Sequence, residues 1–328
     1  MSEALNIHGV GVSLPASRPV VDLATAVGGH VEDYSGWRQV AVGSDADHPG
    51  NLASRALRAA LAHADIPASE MKFVVSTGLS REYLGSWSCA IEVMRQHDMP
   101  STCIPLDISC GCVATLSALP LVRGLLAAQG GGYAAIVAGE RLSDTVDRAD
   151  NAAPHLWPYG DGGSAIIVGV NTRTPALWQL ESTGFSSHAP FAGILRVEYG
   201  GTRHPTAPPG STNYRRFQPV PLAEIRDAYV QGYHNAFTRA FAGTTARPQR
   251  VVCNQMSPNF LPAIAEYAGV PLERVVVTGH DHGHVGAADL GIGLRRLIDA
   301  GQSDTILALG ASTPFAFGAA VLLPAAKR

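Results

Sequence analysis

Charged side chains are scarce: Asp, Glu, Lys and Arg make up 16% of the 328 residues, and the formal net charge is −3. So weakly charged and slightly acidic a chain lacks the basic surface that binding nucleic acid requires. Cysteine is also scarce, five in all. A small odd number in a chain this long reads as a reduced, cytoplasmic protein rather than a disulfide scaffold. The longest apolar runs fall short of the roughly 20 residues that span a bilayer. The opening stretch MSEALNIHGVGVSLP has no basic segment followed by an apolar core, so no secretory signal is expected. No G-x-G-x-x-G or lysine-bearing phosphate loop follows a strand pattern, which excludes the common nucleotide cradles. What is abundant is hydrophobic residue, 46%. That supports a sizeable core, in one large domain or two of ordinary size.

Apolar β-branched runs alternate with amphipathic stretches. KFVVSTG (72–78) reads as a buried strand, preceded by NLASRALRAALAHADI (51–66), whose apolar positions recur at helical spacing. A strand at CIPLDIS (103–109), a helix from about Val113 to Gln129, and strands at AAIVAGE (134–140) and SAIIVGV (164–170) follow. This is α/β order.

The second part of the chain repeats the series. RVVCNQ (250–255) parallels FVVSTG, RVVVTGHDHGH (274–284) parallels CIPLDISCGC, TILALGAS (305–312) parallels AAIVAGE, and GAAVLLP (318–324) parallels GSAIIVG. Most offsets are about 170 to 177 residues; the last is about 155. A duplicated α/β unit is expected. Its first half covers 1–170 and its second 171–328; the stretch from about Asn171 to Gln249 breaks the pattern and reads as a long loop or an insertion between halves, irregular at about 186–220, where it is rich in Gly, Pro and polar residues.

The duplication gives meaning to DISCGCVATLSAL (107–119). Cys112 sits where a helix begins, beside unpaired backbone N–H groups and the positive end of the helix dipole, both of which favour a thiolate. Its counterpart in the second half is His284, and both follow the end of a buried strand, where α/β sheets place their sites. Cys110, two residues earlier, fits a small pocket-lining residue; a Cys-x-Cys redox or metal pair is the alternative. In HDHGHVGAAD (280–289), three alternate histidines suggest either a metal site or one base with an acidic partner. His284 with Asp289 suits the second reading. On a regular helix a spacing of five points the side chains about 140° apart, so the segment near Gly286 must be irregular, and Asp281 is a competing partner. Asn254 ends the strand RVVCN. YGDGGSA (159–165) reads as a structural turn into a strand. Arg215 and Arg216 read as solvated loop residues or as contacts for an anionic carrier.

With these residues in order, the chain resembles β-ketoacyl-acyl-carrier-protein synthase III and its thiolase-fold relatives. GVGVSLP, SGWRQ (35–39), LDISCGC, YGDGGSA and FAFGAAVLL occur in the family's order over nearly the whole length. The resemblance implies an α/β thiolase fold of duplicated βαβαβ halves in five αβαβα layers. It also implies a Cys112 nucleophile that carries the acyl group as a thioester, no bound cofactor, a coenzyme A or acyl-carrier-protein thioester as donor, and a homodimer. The oxyanion donors it implies are the backbone N–H of Cys112 and of Ser312 or Thr313 in GASTPFAFG. Two positions depart from the family. Its histidine in HQxN is here Asn254, in NQMS, and its asparagine in HGN is here His284, in HGH. A subgroup with histidine at the second place and an aspartate five residues on resembles acyltransferases of polyketide and other natural-product pathways, which move an acyl group from a carrier thioester to a hydroxyl or similar nucleophile without condensing. Cys112, His284, Asp289 and Asn254 are thus the expected catalytic set for a small-molecule acceptor. Two other readings stay open: a condensing enzyme with a rearranged Cys–Asn–His set, and a non-catalytic partner subunit. The family's carrier-docking arginine is here Asn259, which leaves the donor as coenzyme A or a carrier protein.

Overall fold

The computed structural model describes residues 3–312 and 316–326. Ten strands form one mixed sheet: β1 (Leu5–Ser13), β2 (Met71–Thr77), β3 (Ile104–Ile108), β4 (Gly132–Arg141), β5 (Asp161–Val170), β6 (Trp178–Ser187), β7 (Arg250–Cys253), β8 (Val275–Val276), β9 (Ile306–Ser312) and β10 (Ala316–Pro324). Their order is β8-β7-β9-β10-β6-β1-β5-β4-β2-β3. The halves of that order match strand for strand. In each, the second strand pairs in parallel with the third and fourth, and the fourth and fifth are antiparallel. The halves join where β1 pairs with β6 at Leu5↔Leu180, Asn6↔Gln179 and Ile7↔Trp178.

Six longer helices complete the unit: α1 (Pro49–Ala64), α2 (Cys89–Gln96), α3 (Ala114–Ala128), α4 (Leu222–Phe241), α5 (Leu261–Ala268) and α6 (Asp289–Asp299). Three apolar clusters define the layers. One packs α1 and α2 on the outer face of the first half. One packs α4 and α5 on the outer face of the second. The third lies between: Leu116, Leu119, Val122 and Leu126 of α3 and Leu290, Leu294 and Leu297 of α6 meet strands of both halves. Both central helices are therefore buried between the sheet halves, giving five alternating layers. Gly111–Ala128 has the length and apolar composition of a candidate membrane span, and its place in the core accounts for much of that: 56% of the segment is buried inside the protein.

Two expectations need correction. Residues 171–249 are not one long loop, because β6 and α4 lie inside it and are the second half's counterparts of β1 and α1. WQLESTGFSS carries Glu, Ser and Thr along one half-exposed strand, and that polarity hid it. What remains irregular holds a 3-10 turn, Ala189–Phe191, and a small hairpin, Leu195–Val197 against Arg215–Phe217. The strand before Cys112 is also not buried. β3 is an outer edge of the sheet and none of its five residues is fully enclosed.

Candidate active site

Cys112 lies in a single 3-10 turn, Gly111–Val113, that leads into α3. The turn places the thiol at the N-terminal, positive end of that helix. In the other half, a four-residue helix (Gly279–His282) ends at Gly283, whose φ of 72° puts the chain in the left-handed region. A Cβ there would meet the Pro158 carbonyl at 2.2 Å, so only glycine closes the turn. The chain then runs through His284 and Val285, turns again at Gly286 (φ 58°), and enters α6 at Asp289. This double turn is the irregularity that a five-residue His–Asp spacing demands.

The result is a linear chain of contacts. Cys112 Sγ lies 3.3 Å from His284 Nε2, and His284 Nδ1 lies 2.6 Å from Asp289 Oδ2. Both His284 and Asp289 are 1% exposed. The Asp289 carboxylate also accepts the backbone N–H of Gln255 at 2.7 Å and of Val285 at 2.9 Å, so three donors fix it. Burial pushes the pKa of His284 down, but the charges of Asp289 and Cys112 and its hydrogen bonds to both outweigh burial and raise it to about 10. Asp281 does not compete: it pairs with Arg296 on the half-exposed surface.

The histidine backbone is held by YGDGGSA. His284 N–H donates to Pro158 and Gly160 N–H donates to His284, at 2.8 and 2.9 Å, and Tyr159 pairs with His284 as an isolated parallel bridge. The Tyr159 ring lies 4.8 Å from the imidazole. That motif is thus a turn into a strand, as read, and also a wall of the site. SGWRQ supports the same segment: buried Trp37 donates to the Gln255 carbonyl at 2.6 Å and packs edge-on against His280. The alternate histidines diverge, His280 toward Trp37 and His284 toward Cys112, and among the described residues no cluster is placed to hold a metal.

Asn254 is close but differently engaged. Its amide donates to the carbonyls of Cys112 (3.3 Å) and Gly286 (3.1 Å), and its oxygen accepts from Ala311 N–H at 3.1 Å. Both N–H donors are committed to backbone, so Asn254 ties the nucleophile turn to the histidine turn rather than facing the thiol. Ser312 donates its hydroxyl to the Cys110 carbonyl at 3.0 Å; Thr313 lies outside the described residues. Cys110 lines a cavity of about 280 Å³ with Val113, Ser117, Phe185 and Phe317, and all five cysteines are free. Asn259 is exposed.

One residue escaped the sequence reading. Glu140, wholly buried at the end of β4, accepts from the N–H groups of Leu79, Ser80 and Ala287 and from the Ser80 hydroxyl. Burial pushes its pKa up, against those hydrogen bonds. A lone acid ending an apolar strand run, AAIVAGE, was the available signal.

Residues 106–184 match the family model described as 3-Oxoacyl-[acyl-carrier-protein (ACP)] synthase III, and residues 243–323 match the model of its C-terminal part. A β-ketoacyl-[acyl-carrier-protein] synthase III of Rhodobacter capsulatus is 26% identical over 96% of this chain and 98% of that protein. One of the same name from Ruegeria is 25% identical over 89% of each. Among solved structures, the synthase III FabH of Pseudomonas aeruginosa superposes with a TM-score of 0.81 at 22% identity, covering 99% of this chain and all of that one. An OleA variant of Xanthomonas campestris superposes at 0.80 with 18% identity, over 98% and 99%. These likenesses carry the fold.

Proposed function

The chain belongs to the thiolase-fold 3-oxoacyl-[acyl-carrier-protein] synthase III-like family, an acyl-transferring enzyme of it, and on that premise we propose that it transfers an acyl group through Cys112 to a hydroxyl-type acceptor without condensation. The supporting observation is the unbroken Cys112–His284–Asp289 chain, with Asn254 committed elsewhere.

The geometry supports the following steps. Cys112 Sγ, with its proton on His284, bonds to the carbonyl carbon of a coenzyme A or carrier-protein thioester. The oxyanion sits against the Cys112 N–H, a kind of donor typically worth about 2.7–4 kcal/mol. As the intermediate collapses, the carrier sulfur leaves with the proton from His284. The acyl group now neutralises the sulfur, so His284 loses one of the charges that raise its pKa and becomes an effective base. It takes the proton of the acceptor hydroxyl, whose oxygen attacks the thioester. The second collapse releases ester and restores the thiolate beside imidazolium. Asp289 holds the tautomer throughout.

The names of the relatives favour a second reading, decarboxylative condensation. That reaction must hold an enolate oxygen while CO₂ leaves, and relatives by resemblance use His and Asn together. Here one of those two places holds an amide whose donors are taken. The test is intact-protein mass spectrometry after incubation with a panel of acyl thioesters, followed by product analysis with malonyl thioester. The acyl-transfer reading expects a stable acyl mass on wild type, none on Cys112→Ala, and no CO₂. Release of CO₂ with a new carbon–carbon bond would overturn it.

A further inference from the structure

Arg215 stands on the small hairpin of the insertion, paired with Val197, and its half-buried guanidinium lies 5.8 Å from the centre of the Tyr159 ring. Its Nε donates to the Thr145 hydroxyl at 2.6 Å. No carboxylate of the described residues pairs with it; the nearby Asp144 is paired with Arg141. A partly buried cation without a counter-ion is costly, and such charges are normally paired. Its two terminal nitrogens are left to present a planar fork, the geometry that suits a carboxylate.

What lies beneath it says where the partner would be. Tyr159 and His284 sit side by side in a parallel bridge, so both side chains leave one face of the backbone together. The Tyr159 side belongs to the reacting site: its hydroxyl feels the charges of Cys112, Arg215 and Asp289. Tyr159 is 9% exposed, and its hydroxyl makes no hydrogen bond among the described residues. One aromatic ring therefore separates an unpaired guanidinium from the base, and that ring carries an unpaired donor.

We propose that Arg215 and Tyr159 bind a carboxylate carried by the small molecule that reacts at Cys112 and His284, so that one substrate, acyl group or acceptor, is an acid. This rests on the acyl-transfer reading for where the substrate lies. The charge of Arg215 pairs with the carboxylate, and the Tyr159 hydroxyl donates to it.

Calorimetric binding to Cys112→Ala protein tests this without turnover. The donor arm compares succinyl- and glutaryl-coenzyme A with butyryl-coenzyme A; the phosphates are common to all, so their contribution cancels in the ratio. The acceptor arm compares 4-hydroxybenzoate with 4-hydroxybenzamide. In one arm the acid should bind about tenfold more tightly or better, the value of a charge-assisted hydrogen bond. Adding Arg215→Gln should erase that preference, and Arg215→Lys should keep part of it, with melting temperature recorded for each. The arm that responds says which substrate is the acid. No preference in either arm, or one that survives Arg215→Gln, overturns the proposal. Failure of wild type to acquire any acyl mass would instead count against the transfer reading, since binding is measured separately.

Discussion

The two halves of the molecule share a strand order and a turn, and differ in what the turn carries. In the first, Gly111 (φ 60°) precedes a half-buried thiol at the start of α3. In the second, Gly283 precedes an imidazole that is wholly enclosed. The offset of 172 from Cys112 to His284 is the repeat itself. On the proposed function, the first half draws its chemistry from a helix terminus, which acts on a single residue. The second needs a partner for its histidine, and obtains one by breaking the approach to α6 so that Asp289 turns back. A duplicated scaffold thus supplies position twice and leaves the chemical task to local sequence.

The largest effect should come from removing the first half's contribution. Cys112→Ala should abolish the acyl adduct altogether in intact-mass measurement, with the fold unchanged by circular dichroism. Removing the second half's base should separate the two steps. His284→Ala should slow transfer from the acyl-enzyme about 10²–10⁴-fold, and slow acylation by a reactive thioester less; pre-steady-state kinetics on both steps distinguishes them. Equal loss in both would mean that the halves do not divide the labour.

The link between the halves is smaller and structural. Asn254→Ala leaves buried carbonyls of Cys112 and Gly286 without their donor, which should cost about 1–3 kcal/mol in denaturant unfolding. The His284 pKa is raised to about 10 in the folded protein, above its ordinary unfolded value. Its stabilising contribution is therefore fully present below about pH 6.5 and lost as pH rises through about 10. Unfolding free energy of wild type should decline over that window, and more steeply than that of His284→Gln. The smallest effect belongs to Cys110→Ala, a half-buried cavity residue: the Cys112 adduct should still form, in the same assay.

Much of this was legible. The strands at 72–170 and at 250–324, the duplication and the pairing of Cys112 with His284 all follow from apolar periodicity and offset, because most of these strands are buried and must be apolar. β6 and α4 were not legible: one face of each meets solvent, and their polar residues mask the pattern. The choice of Asp289 over Asp281 depended on where Gly283 and Gly286 turn the chain, which spacing alone does not fix. Asn254 shows the limit most clearly. Its position beside the thiol was readable, but not which way its amide points, since that depends on carbonyls 142 and 32 residues away. Glu140 was missed because an isolated acid in an apolar run resembles a strand end.

Glu140 has a consequence for how the catalyst keeps its dimensions. One carboxylate from the first half grips Leu79 and Ser80 on its own side and Ala287 across the divide. A rivet through the protein's interior therefore braces the gap between sulfur and imidazole, and any widening or closing of the two halves would have to break it.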